Sequence, residues 1–96
     1  MIKHIVMWRL KDEKKIENAK RIKESLEALN GVIEELKFIE VGININQGEQ
    51  VYDVVLNSDF DNIDDLNNYQ KHPEHIKVGG FIKEVTESRV VVDYEF

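Results

Sequence analysis

The stretch NYQKHPEHIKVGG, residues 68 to 80, gathers two of the three histidines, His72 and His75, around the single proline, Pro73, with Tyr69 just upstream. The third histidine, His4, lies at the start of the chain. An imidazole exchanges its proton near neutral pH and is the usual general base there. A tyrosine hydroxyl can donate to a carbonyl oxygen as it gains charge, or it can simply be a packed aromatic with a satisfied hydroxyl. His4 has the same two readings, a working base or a core histidine satisfied by a neighbour. His72 explains itself as punctuation, because the residue before a proline leaves the helical region and can cap the next helix. The proline also separates His72 from His75, and Glu74 points elsewhere, so no metal ligand set forms and none is expected.

The elements that must position these residues follow from periodicity. Ile2 to Leu10 alternates as a strand, with Ile2, His4, Val6, Trp8 and Leu10 on one side and Lys3, Ile5, Met7 and Arg9 on the other. Asp12 is the expected N-cap of a helix whose apolar stripe is Ile16, Ala19, Ile22, Leu26 and Leu29, closed by Asn30-Gly31. A second strand is expected from Leu36 to Ile45 and a third from Val51 to Phe60, with the loop NINQGEQ between. A second helix carries Ile63, Leu66 and Tyr69 or Gln70 on one face and ends near Lys71. A short helix from Glu74 to about Ile82 follows, with Pro73 in its first turn, His72 as its cap, and Ile76, Phe81 and Ile82 as its apolar residues. His75 then lies in the first turn, where free N–H groups disfavour an added proton and keep the ring able to accept one. VTESRVVVDYEF closes the chain as a fourth strand.

The order strand, helix, strand, strand, helix, strand with right-handed crossovers gives an α+β, ferredoxin-like sandwich. It is a single domain, residues 1–96, with a four-stranded antiparallel sheet covered by helices on one face. The other face should be polar in a monomer. Ile5 and Met7 on the first strand, and the apolar residues on both sides of the second, predict instead an apolar face buried in a homodimer that packs sheet against sheet.

Composition removes several classes. Acidic residues outnumber basic ones 19 to 13, a formal charge of −6, so the clustered Lys and Arg that a phosphate backbone requires are missing. The lysines between positions 11 and 23 alternate with Asp12, Glu13 and Glu17 as on a solvated helix face. The third strand carries Asp53 and Asp59 where an RNA-binding sheet of this fold would carry basic residues and paired aromatics. Trp8 and Phe38 are accordingly read as core or pocket lining. There is no cysteine, hence no disulfide and no thiolate nucleophile. No apolar run reaches membrane-spanning length, and MIKHIVMWRL is too short and too interrupted for a signal peptide, so a cytoplasmic location is expected.

Taken together, IKHIVMWRLKDE, NNYQKHPEH, the helix–strand spacing and VVVDYEF resemble the stress-responsive dimeric α/β-barrel (Dabb) family over nearly the whole chain. The resemblance implies a ferredoxin-like dimer whose two sheets form a barrel. It also implies a candidate site: one branch, a plant polyketide cyclase, closes a ring by an aldol-type reaction without a cofactor. That branch uses a first-strand histidine, a second-helix tyrosine and the second histidine of His-Pro-x-His. His4, Tyr69 and His75 are similar to those positions, with Val6, Trp8, Ile22 and Leu26 as the expected pocket wall. AKRIKESL in the first helix is more charged than a long alkyl pocket requires, which disfavours that branch's own substrate type.

Two functions follow. One is a cofactor-independent enzyme acting on a small, largely apolar carbonyl or phenolic compound, with His75 as base, Tyr69 as oxyanion donor and His4 as orienting group or second base. The other is a non-catalytic dimeric binding or structural domain in which the histidines are structural. A cofactor-free oxygenase is a third, by fold analogy.

Overall fold

The computed structural model describes all of residues 1–96. The chain forms β1 (Ile2–Leu10), α1 (Lys15–Glu27), β2 (Phe38–Ile43), β3 (Val54–Phe60), α2 (Ile63–Lys71), α3 (Pro73–Val85) and β4 (Thr86–Glu95). All strand pairings are antiparallel and the sheet order is β2-β3-β1-β4. The first βαβ crossover steps over β3 and the second over β1, which is the ferredoxin-like arrangement. β1 therefore lies at the centre of the sheet and β4 at its edge, and both carry residues of the site.

One face of the sheet builds the core. Val6, Trp8 and Leu10 of β1, Val54, Leu56 and Phe60 of β3, and Ile39 and Val41 of β2 are buried beneath Ala19, Ile22, Leu26, Leu66, Tyr69 and Ile82 of the helices. The period of two in the strands and the 3–4 spacing in the helices place these residues together. Ile16, Ile63 and Ile76, expected on the buried helix faces, are exposed. The opposite face presents Met7, Val55, Val90 and Val92, all between 37% and 59% exposed, so one sheet face is left apolar and uncovered.

The element boundaries are set by local polar contacts. β2 is shorter than Leu36 to Ile45 because Asn44 and Asn46 accept backbone N–H groups two residues ahead, from Asn46 and Gly48, and turn the chain out of the sheet. β3 begins at Val54 because Asp53 is drawn to β1: its N–H donates to the Trp8 carbonyl and its carboxylate accepts from the Leu10 N–H. Asp12 does not cap α1. Lys14, in the left-handed region with φ 53°, flanks the helix, and the Asp12 carboxylate pairs with Lys15 instead. The helix ends at Glu27, and Gly31, with φ 86°, supports the turn beyond it.

The edge strand β2 is tied down by α1. Glu27 accepts from the Val41 N–H and from Lys23, and Lys23 donates to the Val41 carbonyl. Lys23, and then the Val41 N–H, hold the Glu27 carboxyl below its usual value. Both polar groups of an edge residue are thereby occupied, which blunts that edge against further strand pairing.

The Pro73 region forms as its residues dictate. Asn62 caps α2, accepting from the Asp65 N–H, and α2 ends at Lys71. His72 is extended, its Nδ1 accepts from the Glu74 N–H at 3.1 Å, and Pro73 opens α3. α3 continues through Gly79 and Gly80 to Val85, three residues beyond the expected end. No helix of the structure is long and apolar enough to cross a membrane.

Candidate functional site

A cavity of about 530 Å³ opens between the sheet and α3. Its apolar wall is Val6, Trp8, Leu26, Leu56 and Ile82, and two imidazoles, His4 and His75, face into it. β1 supplies His4 from the buried side of the sheet, where it is 2% exposed. α3 supplies His75 from its first turn, an orientation fixed by the His72 cap and by Pro73. Two strategies thus converge: a rigid central strand holds one ring and a capped helix start holds the other.

His4 has a partner that periodicity alone did not expose. Its Nδ1 lies 2.5 Å from Oδ1 of Asp93. The two residues are directly opposite in the β1–β4 ladder, so both side chains stand on the same face. With Nδ1–H donated to the carboxylate, Nε2 is the ring nitrogen left for other partners, the arrangement in which a carboxylate fixes the orientation of an imidazole. Asp93 could have been found by counting inward from both ends of a paired first and last strand. Within VVVDYEF by itself it has no distinguishing signal.

Tyr69 is fully buried, and its ring packs between Phe60 at 4.9 Å and His75 at 4.6 Å, centroid to centroid. It stands behind His75 rather than on the cavity wall, and its hydroxyl has no hydrogen-bond partner. Burial pushes this phenol far up from its ordinary value, so it stays protonated and remains a donor. Burial also lowers His75 below its usual value. A hydrogen bond to the Gln70 backbone opposes that shift, while His4, Arg89 and His72 add to the lowering. His75 is therefore a neutral imidazole at pH 7, able to accept a proton.

Of the expected wall, Val6, Trp8 and Leu26 line the cavity. Ile22 is fully buried in the core, one turn from Leu26, and does not. His72 is outside the cavity and acts as the α3 cap. Gly79 of α3 lines it without a side chain, and a Cβ there would meet nothing within 4 Å. No three His, Asp or Glu side chains converge as a metal ligand set.

The element order and sheet topology are those of a ferredoxin-like α+β sandwich, with a cavity under its helices that two histidines line. The chain belongs to the stress responsive A/B barrel domain family, whose model matches residues 2–96. It is 35% identical over 98 residues to an uncharacterised protein of Streptomyces coelicolor, with 100% of both chains covered. A crystal structure of a dimeric ferredoxin-like protein of unknown function from Bacteroides fragilis superposes with a TM-score of 0.92 at 44% identity. It covers 99% of this chain and 95% of that one. The hydroxynitrile lyase of Passiflora edulis shares the fold, with a TM-score of 0.84 at 20% identity, over 97% of this chain and 90% of that one.

Proposed function

We propose that this protein is a cofactor-independent acid–base catalyst acting next to the carbonyl group of a small, largely apolar compound. The observation that supports this most is the sharing of one apolar-walled cavity by two imidazoles, one held by a carboxylate and the other backed by a buried phenol without a partner. In the proposed step His75 takes a proton from the carbon beside the carbonyl. The electron pair moves onto the carbonyl oxygen, and Tyr69, packed behind His75 and outside the cavity lining, positions that ring instead of meeting the oxygen. The enolate carbon then attacks a second carbonyl carbon of the same compound, whose C=O π bond breaks as its oxygen takes up the proton that His75 removed, passed directly or by way of His4, which Asp93 orients; both imidazoles end as they began. The Passiflora edulis hydroxynitrile lyase is an example of a lyase on this fold.

The functional unit in this reading is a homodimer packed through the open sheet face. Support comes from the uncovered Met7, Val55, Val90 and Val92 and from the dimeric Bacteroides fragilis relative. Sedimentation should give a dimer at micromolar concentration, and Val55→Asp should shift it to monomer. A wild-type monomer would refute this.

The competing reading, a binding or structural domain, draws support from His4–Asp93 itself, since the pair also ties β1 to the edge strand. The two separate without knowledge of the substrate. Incubated in D₂O with 4-phenyl-2-butanone, the wild type should speed deuterium uptake at the α-carbons, as followed by NMR. His75→Ala and His4→Ala should lose that effect while remaining folded. No acceleration by the wild type, or equal acceleration by all three, would leave the binding-domain reading.

A further inference from the structure

The charges at the cavity mouth differ from those of the chain as a whole. The formal charge is −6, yet the mouth carries Lys83 and Arg89 against a single carboxylate, Glu87. Arg89 stands opposite Trp8 in the β1–β4 ladder, on the same side of the sheet, at the end of the cavity wall. Neither Arg89 nor Lys83 takes part in an ion pair. Glu87, at the same mouth, forms no ion pair with Arg89, and Asp93, further along β4, is taken by His4. The charge of Arg89 reaches into the cavity far enough to act on His75. A guanidinium presents a planar fork of donors suited to a carboxylate, and this one has none.

We propose that the ligand of this cavity is an amphipathic monocarboxylate. Its carboxylate pairs with Arg89, supported by Lys83, and its apolar body lies against Val6, Trp8 and Leu26. The inference rests on the reading of the cavity as a small-molecule site and narrows it to an acid. The volume of about 530 Å³ falls within the roughly 300–1,000 Å³ of small-molecule sites. An acid anchored at the mouth directs the rest of its chain toward His4 and His75, so a reacting carbonyl would be separated from the carboxylate by an apolar spacer.

Trp8 is the single tryptophan and lines the cavity, which makes its fluorescence a direct reporter. Titration with octanoate and with octanamide compares a charged and a neutral head on one chain. Octanoate should bind roughly tenfold more tightly, as expected for a charge-assisted contact weakened by exposure at the mouth. Arg89→Gln should erase most of that preference and Arg89→Glu reverse it, with octanamide affinity unchanged in both. Added salt should weaken octanoate alone. Equal binding of the two probes, or a preference that survives Arg89→Glu, would overturn the inference while leaving the cavity a small-molecule site. If neither probe moves the Trp8 signal, the small-molecule reading fails and this inference fails with it.

Discussion

Removing the Asp93 carboxylate separates what the His4–Asp93 pair does for stability from what it does for chemistry. The imidazole is 2% exposed, and the carboxylate is 35% exposed at the sheet edge. A hydrogen bond to a charged group contributes about 1.5–3 kcal/mol, and partial exposure of the acid reduces this to roughly 1–2 kcal/mol. Asp93→Ala strands a buried ring N–H and should lose that amount. Asp93→Asn keeps an acceptor oxygen and should lose about half as much. In urea, where a domain of this size unfolds with a slope of about 1–1.5 kcal/mol/M, the Asp93→Ala midpoint falls by about 1 M. Comparison at equal protein concentration removes the contribution of dimer assembly. The α-carbon exchange rate carries the other half of the prediction. A carboxamide in place of the carboxylate can turn its NH₂ toward the ring and reverse the tautomer. Asp93→Asn should therefore lower exchange by roughly 10²-fold or more despite its small stability cost. Exchange at the wild-type rate in Asp93→Asn would show that the pair is a staple between strands and nothing else. An unchanged urea midpoint in Asp93→Ala would show that it is not even that.

Three further outcomes follow from the same geometry. Tyr69→Phe removes a buried hydroxyl that has no partner and keeps the ring that packs on His75, so stability should hold or rise by up to about 1 kcal/mol with α-carbon exchange near the wild-type rate; a large loss of exchange would show that the hydroxyl reaches the substrate. Gly79→Ala adds a methyl group where a Cβ meets nothing, so it should stabilise α3 by about 0.5–1 kcal/mol and weaken octanoate binding, both measurable on one preparation. His75 has its folded value lowered by burial first, against a hydrogen bond to the Gln70 backbone and with smaller contributions from His4, Arg89 and His72. The unfolded chain therefore binds the proton more readily, and stability is complete at neutral pH. It declines as pH falls below about 6.5 toward the folded value. His75→Gln should flatten that part of the stability–pH curve, and an unaltered curve would contradict the burial of a neutral ring.

The sequence was informative wherever local chemistry decides structure. His72-Pro73 stops one helix and starts the next, because a residue before proline cannot stay helical and a side-chain acceptor there serves the following N–H groups. Element order led to the sheet topology because only right-handed crossovers return each helix to the same face. Of the candidate site, the sequence pointed to three residues that lie near one another: His4 and His75 line one cavity, and Tyr69 packs against His75 outside it. Asp93 and Arg89 were not legible, since their roles depend on which residues of β4 oppose His4 and Trp8. That register is a tertiary fact, further obscured by the irregularity between Arg9 and Leu10. Asp12 misled for a related reason. A side chain that can cap a helix can equally pair with Lys15, and here the turn through Lys14 decides. Ile22 and Leu26 share one helical stripe, and periodicity does not distinguish the residue that fills the core from the one that borders a void.

The claim that His4 and His75 work in a common cavity is tested most directly by imidazole nitrogen NMR across pH 4 to 9, in the wild type and in His4→Gln. With three histidines in the chain the spectra are simple to assign. His75 should titrate below its ordinary 6.5, and removing the His4 ring should raise its midpoint, because a proton on one ring disfavours a proton on the other. A His75 midpoint at or above 6.5 that ignores the loss of His4 would mean the rings do not sense one another, and the shared acid–base site would have to be abandoned.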